Sequence, residues 1–236
     1  GLGLGYITPI STLVLWFPDR RGLATGLAVM GFGAGALVTG PVANRLIELV
    51  GVPSTFYVLG TGYFVAMATG ASYLQNPPKG WVPIAMDTAD VDEDEPMGVA
   101  VTSDLEQLTA SQAIRTPQFY LVWLIMFINI SAGIMLLSVA SNMTQAVTGA
   151  SAAVAATVVG LIGVFNGAGR IAWSSLSDYL GRTRTYAVFF AIQIIAFLAL
   201  PTVRTVGLFA GILFLIITCY GGGFACLPAY LADLFG

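Results

Sequence analysis

Residues 161–184, LIGVFNGAGRIAWSSLSDYLGRTR, decide the fold of this chain. The stretch is an apolar, glycine-rich helix with an arginine, Arg170, inside it, and it ends in the polar turn Asp178, Gly181, Arg182 and Arg184. If the lipid boundary lies near Asp178, Arg170 lies about 12 Å inside a half-core of about 15 Å. An arginine at that depth is costly, and it usually faces a protein-lined or watery interior on an ion or substrate path.

The composition places the chain in a membrane. Of its 236 residues, 57% are hydrophobic and only 9% are charged, against about 25% in a soluble domain. The net charge of −3 comes mostly from one acidic run between residues 87 and 106, so it describes a loop and not a partner. We predict an all-α polytopic membrane protein. Because the chain begins in an apolar segment without an initiator methionine, we expect an internal piece of a longer protein.

Seven apolar segments are separated by turns rich in proline, glycine and charge. They are Gly1 to Phe17, Gly22 to Val50, Thr55 to Leu74, Pro117 to Ala146, Ala152 to Leu176, Tyr186 to Leu200 and Val206 to Leu231. Residues 77–116 are polar, acidic and without periodicity, which predicts a linker outside the membrane between residues 1–76 and 117–236.

The basic residues assign the sides of the membrane. One side carries Arg20, Arg21, Lys79, Arg115, Arg182 and Arg184, and the other carries Arg45 and Arg204. Positively charged loops stay in the cytoplasm, so the first side and the linker are predicted to be cytoplasmic, in a multi-pass protein of the cell membrane.

Several motifs resemble those of the major facilitator superfamily, and more narrowly of its oxalate/formate antiporter family. They are Gly5-Tyr6-Ile-Thr-Pro9, Phe17-Pro18-Asp19-Arg20-Arg21-Gly22-Leu-Ala-Thr-Gly26, Asn166-Gly-Ala-Gly-Arg170-Ile-Ala-Trp173, Ser177-Asp178-Tyr-Leu-Gly181-Arg182, Cys219-Tyr220-Gly-Gly-Gly-Phe224 and Ala232-Asp233-Leu-Phe-Gly236. The resemblance implies the major facilitator fold of two six-helix halves, with seven of the twelve transmembrane helices present. Residues 1–76 would be helices 4 to 6, residues 117–236 helices 7 to 10, and residues 77–116 the central cytoplasmic loop.

The same resemblance implies a central site with alternating access. Arg170 matches the arginine that binds the substrate carboxylate, and by similarity the aromatic lining is Tyr6, Phe32, Tyr220 and Phe224. Tyr220 stands where the oxalate transporter is expected to have a tryptophan, and Phe224 where it is expected to have a tyrosine.

Helix geometry brings polar residues to the same level. Counted inward from the cytoplasmic turns, Tyr6 and Phe32 lie about 16 Å deep, Asn129 about 18 Å and Tyr220 about 20 Å. Asn166 precedes Arg170 by four residues and shares its helix face. The alternatives are packing for the aromatic residues, interhelical hydrogen bonds for Asn129 and Asn166, and a structural or snorkelling role for Arg170.

The predicted cytoplasmic turns carry a second group of residues, which we expect to hold helix ends together in one conformation. They are Asp19, Arg20 and Arg21 in the first part and Asp178, Gly181, Arg182 and Arg184 in the second. Gly221 to Gly223 with Pro228 favour a bendable seventh segment, with close packing as the alternative.

These observations predict a secondary transporter of small organic anions, namely mono- or dicarboxylates such as formate, oxalate or lactate. The chain has no histidine and no deep carboxylate, which favours anion exchange or facilitated diffusion over proton symport. The alternatives are a carrier of a neutral solute or drug with a structural Arg170, and a membrane sensor that does not transport. We expect no catalytic residue, metal or cofactor. The expected partners are the substrate anion and the lipid bilayer, without nucleic acid, and the expected state is a monomer.

Overall fold

The computed structural model of the chain describes residues 2–78 and 108–235, except for the side chains of residues 2–4, 32–34 and 36–37. Most of the predicted linker, including Lys79 and the acidic run, lies outside the described residues, as does the side chain of Phe32. The described part is helical and contains no strand. Its helices are α1 (Leu2–Trp16), α2 (Arg21–Tyr73), α3 (Ala110–Ala113), α4 (Pro117–Thr148), α5 (Ala152–Leu180), α6 (Arg182–Ala199) and α7 (Val206–Phe235), with a 3₁₀ turn at Leu200–Thr202.

Five stretches of the described residues are long and apolar enough to cross a membrane. They are Val38–Tyr73, Pro117–Thr148, Ala152–Leu180, Arg182–Thr202 and Val206–Phe235. The prediction of seven crossing segments exceeds this number by two. The apolar part of α1, Gly5–Trp16, covers about 18 Å at 1.5 Å per residue, short of a hydrocarbon core of about 30 Å. The predicted second and third segments share one apolar stretch that passes through a break in α2.

The break in α2 lies at Gly51, between the predicted second and third segments. Gly51 has φ 79° and ψ 167°, a conformation that is accessible to glycine and strained for other residues. The hydroxyl groups of Thr39 and Tyr63, each twelve residues from Gly51, lie 2.9 Å apart. The two arms of α2, residues 21–50 and 52–73, therefore run antiparallel. The second arm returns to the end of α1, where Trp16 Nε1 donates to the carbonyl of Gln75 at 2.7 Å.

Short turns with capping residues separate the helices of the C-terminal part. The side chains of Thr116 and Ser151 accept backbone N–H bonds at the starts of α4 and α5. Gly149 and Gly181 follow α4 and α5 with φ 70° and 84°, the left-handed region that ends helices without steric cost at glycine. These local signals end α4 and α5 in short turns, so that α4, α5 and α6 follow one another closely.

Helix α7 lies at the centre of the molecule, and its membrane stretch is the most buried of the five. It packs mainly against α5, and α5 in turn packs against the first arm of α2. Both contacts need glycine, because the backbones approach closely. A methyl group on Gly169 would overlap the backbone of Thr218, and one on Gly26 would overlap Ser174. The helices on the two sides of the linker thus meet along α2, α5 and α7.

Candidate functional site

Arg170 lies in the interior of the molecule, as its depth predicts. Its residue surface is 5% exposed, and its Nε donates to Asn166 Oδ1 at 2.9 Å, one turn earlier on α5. The backbone carbonyl of Asn166 in turn lies against Gly221 of α7, where a side chain would not fit. Close packing of α5 on α7 therefore fixes the backbone that carries both polar side chains.

An aromatic surface covers the guanidinium group from α7. The Cζ atom of Arg170 lies 5.3 Å from the centre of the Phe224 ring, within the range of a cation–π contact. The rings of Tyr220 and Phe224 pack edge to face at 5.4 Å. Tyr6, from α1, places its hydroxyl 3.5 Å from the carbonyl oxygen of Phe224, and the tyrosines at positions 6 and 220 are both electrostatic neighbours of Arg170.

The structure thus brings together five of the seven residues predicted for the site. They are Arg170, Asn166, Tyr6, Tyr220 and Phe224. Phe32 belongs to α2, and the position of its side chain is outside the described residues. Asn129 lies beside this group, on its α4 side, and has other contacts.

Asn129 supports the backbone of α7. It is fully buried, its Nδ2 donates to the Tyr220 carbonyl at 3.3 Å, and its Oδ1 accepts from Gln193 Nε2 at 3.0 Å. The amide is therefore bonded on both sides by protein groups, in agreement with the interhelical alternative. Gln193 of α6 is a partner that the sequence analysis missed. A lone uncharged polar residue in an apolar helix was the available signal.

Helix α7 receives further side-chain hydrogen bonds in its glycine-rich part. Pro228 has no N–H, so the carbonyl four residues earlier, that of Phe224, lacks its helical donor. The Tyr6 hydroxyl lies next to this oxygen. The two residues that flank Phe224 also accept hydrogen bonds. The Tyr186 hydroxyl donates to the Gly223 carbonyl at 2.7 Å, and the Thr25 hydroxyl donates to the Ala225 carbonyl at 2.9 Å. The sequence analysis singled out neither of these two donors.

A second polar group joins the ends of α2, α5, α6 and α7. We call it the ion-pair cluster, and its members are Arg21, Asp178, Arg182 and Asp233. Arg182 contacts Asp178 at 2.7 Å and Asp233 at 2.8 Å, and Arg21 contacts Asp233 at 3.0 Å. Arg182 also donates to the Ser177 hydroxyl.

Asp178 also binds the start of α2. Its two carboxylate oxygens accept the N–H groups of Gly22 and Leu23 at 2.9 and 3.0 Å. These N–H groups belong to the first turn of a helix, which has no internal acceptors for them and carries the positive end of the helix dipole. Asp178, which follows the linker in the sequence, therefore caps α2, which precedes the linker.

The other residues of the predicted conformational group lie at the edge of this cluster. Asp19 and Arg20 pair with each other at 3.7 Å, and the side chain of Arg20 is 65% exposed. Arg184 is exposed, and Gly181 forms the turn between α5 and α6. Asp233 is the member that the prediction did not include. The motif Ala232-Asp233 at a helix end was its only signal.

Among residues 2–78 and 108–235, no group of three or more histidine, cysteine or acidic side chains is placed to hold a metal ion. The four carboxylates of these residues, Asp19, Glu48, Asp178 and Asp233, each pair with an arginine other than Arg170.

The model of the Major Facilitator Superfamily matches residues 1–236. The chain belongs to this superfamily of transporters. With the helical fold, the membership identifies a multi-pass membrane protein, as the sequence predicts.

Three curated relatives place the chain within the superfamily. It is 29% identical to the oxalate:formate antiporter of Oxalobacter formigenes, over 100% of this chain and 53% of that protein. It is 25% identical to the uncharacterized MFS-type transporter YhjX of Escherichia coli strain K12, over 99% of this chain and 55% of that protein. It is also 25% identical to apicoplast pyruvate carrier 1 of Toxoplasma gondii, over 100% of this chain and 52% of that protein. The chain spans about half the length of these relatives.

Proposed function

We propose that the full-length protein is a secondary transporter that exchanges small organic anions, namely mono- or dicarboxylates such as formate, oxalate or lactate, by alternating access. The observation that carries this proposal is the buried Arg170, held by Asn166 and faced by Phe224. A carboxylate is the ligand for which the planar guanidinium offers a bidentate fork.

The names of the relatives point to the same class of solute. Two of the three relatives are named for small carboxylates, oxalate and formate in one case and pyruvate in the other.

The aromatic residues supply the selectivity of the proposed site. The edge of one ring packs on the face of the other, so Tyr220 and Phe224 form a rigid wall beside the guanidinium. A small planar anion is proposed to bind the guanidinium beside this wall, whereas a bulky solute would have to displace a ring. Tyr6 and the side chain of Phe32 are proposed to complete the lining from α1 and α2. In this arrangement Asn166 orients Arg170, and Asn129 holds the backbone that carries Tyr220.

The ion-pair cluster is the proposed closure of the site toward the cytoplasm. It joins the N-terminal segment, residues 2–78, to the C-terminal segment, residues 108–235, through Arg21 with Asp233 and Gly22 with Asp178. We propose that these segments belong to the two six-helix halves, that residues 77–116 link them in the cytoplasm, and that the structure is closed on that side. Opening would break these contacts, and Asp19, Arg20, Gly181 and Arg184 border the same opening. We further propose a monomer in the cell membrane.

The test uses the full-length protein in liposomes preloaded with one carboxylate, and follows uptake of labelled formate, oxalate and lactate. Arg170→Lys keeps the charge but loses the fork, and we expect carboxylate exchange to fall about tenfold to 150-fold, the effect of one charged hydrogen bond of about 1.5–3 kcal/mol. Arg45→Lys is the matched control, because Arg45 is exposed and pairs with Glu48. Unchanged exchange in Arg170→Lys would reject the assignment of Arg170.

A second candidate function is a carrier of a neutral solute or drug. The bond of Arg170 to Asn166 and its contact with Phe224 favour it, because both occupy the guanidinium with protein groups. Folded protein that exchanges no carboxylate but takes up a neutral solute would support this candidate. Binding without counterflow of any solute would indicate a sensor.

A further inference from the structure

Thr25 donates a hydrogen bond across the boundary between the N-terminal and C-terminal segments. It lies in the first arm of α2 and is fully buried. Its Oγ1 lies 2.9 Å from the carbonyl oxygen of Ala225 on α7 and 3.0 Å from that of Gly22 in its own helix. The contact occurs where α2 approaches α5 so closely that Gly26, the next residue, has no room for a side chain.

The acceptor of this bond lies between the two polar groups described above. Ala225 follows Phe224, whose ring lies over Arg170, and precedes Asp233 of the ion-pair cluster by eight residues. Pro228 lies between Ala225 and Asp233, so the helix is weakened there by one missing hydrogen bond. An external donor at Ala225 therefore holds α7 on the site side of this weak point.

A hydroxyl group with two acceptors is suited to a contact that must open. Thr25 has one proton to donate, and the Ala225 and Gly22 oxygens are both within reach. When α7 moves away, the proton returns to Gly22, and the buried donor keeps a partner. The Ala225 carbonyl keeps its helical donor, because residue 229 is an alanine with an N–H group. The separation thus leaves neither group unsatisfied, and its cost is limited to the bond between the helices.

We propose that Thr25 is a positioning residue of the transport cycle: its hydrogen bond to Ala225 holds the Phe224 end of α7 against α2 while the ion-pair cluster is closed, and breaks when that end of the protein opens. The proposal rests on the proposed alternating access. It assigns to Thr25 a role in the conformational equilibrium and none in binding the solute. The surrounding apolar contact of Ile10, Val29 and Ala225 provides packing, and the hydroxyl provides the directional part.

The test measures the conformational equilibrium of the full-length protein without substrate. Spin labels on cysteines at Phe17 and Tyr179, which are 47% and 84% exposed, report the separation at the ion-pair end by double electron–electron resonance. The parent without added cysteines checks that the buried Cys219 and Cys226 take up no label. Thr25→Val removes the hydroxyl at nearly constant volume, and we expect the ratio of long to short distances to rise about threefold, the effect of one hydrogen bond between membrane helices.

Two variants separate the hydroxyl from the packing. Thr144→Val makes the same change at a fully buried threonine whose hydroxyl bonds only within its own helix, to Ala140, and we expect the parent distribution. Thr25→Ser keeps the donor and is expected to restore the parent distribution. A Thr25→Val distribution equal to the parent, or an equal shift in Thr25→Ser, would overturn the proposal. Because no solute is present, failure of carboxylate transport would contradict the proposed function and leave this result unaffected.

Discussion

The substitution Asp178→Asn tests the ion-pair cluster most directly, because one carboxylate joins two backbone N–H groups and one arginine. The contacts measure 2.9 Å to Gly22, 3.0 Å to Leu23 and 2.7 Å to Arg182. Asparagine keeps one oxygen as an acceptor, so one N–H loses its partner. It also removes the charge that faces Arg182 and the start of α2.

The magnitude follows from these losses. A hydrogen bond to a charged group contributes about 1.5–3 kcal/mol, and the side chains of Asp178 and Arg182 are only 15% and 10% exposed, so solvent screens them little. Arg182 keeps Asp233 at 2.8 Å, which limits the loss. We expect the closed contact to weaken by about 2–3 kcal/mol, or about 30-fold to 150-fold in the opening equilibrium.

Hydrogen–deuterium exchange reports this change at the atoms concerned. The amides of Gly22 and Leu23 are both protected by Asp178. The amide that keeps the asparagine oxygen as its acceptor should exchange faster by the same factor as the opening equilibrium, and the amide that loses its acceptor should lose this protection altogether. Glu48→Gln is the matched control, because its partner Arg45 and its own side chain are exposed, and it should leave both amides unchanged. Equal exchange at these amides in Asp178→Asn and the parent would refute the assignment of Asp178 as the cap of α2.

Two further predictions concern the packing of α7. Gly169→Ala should destabilise the protein by about 1–3 kcal/mol, because the new methyl group overlaps the Thr218 backbone, and the melting temperature in detergent should fall. Gly160 lies on the same helix and faces open space, so Gly160→Ala is the control and should leave the melting temperature unchanged. Asn129→Ala should cost about 1–3 kcal/mol in the same measurement, because the buried Gln193 amide loses its acceptor. The double variant with Gln193→Ala should cost less than the sum of the two single variants. A cost equal to that sum would show that these two residues are not coupled.

Much of the fold is present in the linear pattern of the sequence. Apolar runs and their punctuation locate the helices, because a buried backbone in lipid must bond to itself and can stop only at turns. The break between the second and third segments follows from Gly51, and the turns at Gly149 and Gly181 follow in the same way. The sequence is a poorer guide to the number of separate membrane crossings, because one apolar stretch continues through Gly51.

The candidate site is predictable in part for a different reason. Arg170 is identified by its cost in lipid, and Asn166 by helix spacing, since both signals are local. The sequence does not predict the hydrogen bonds that Thr25, Tyr186 and Gln193 donate. A single hydroxyl or amide in an apolar helix has many possible partners, and only the tertiary contact selects one. The functions of the site residues and of the ion-pair cluster stay predictions until the variants are measured.

The hydrogen bonds from α2 to Asp178 are hard to detect by changing side chains. Its partners on α2 are main-chain groups that every amino acid except proline would supply. For the contact with Leu23, alanine scanning and covariation between positions would therefore detect only the Asp178 side. What the sequence must preserve at position 22 is the lack of a side chain, since any Cβ there would meet Ser174 and Asp178. Only a change in the main chain itself, such as an ester bond at Leu23, would reach the hidden partner.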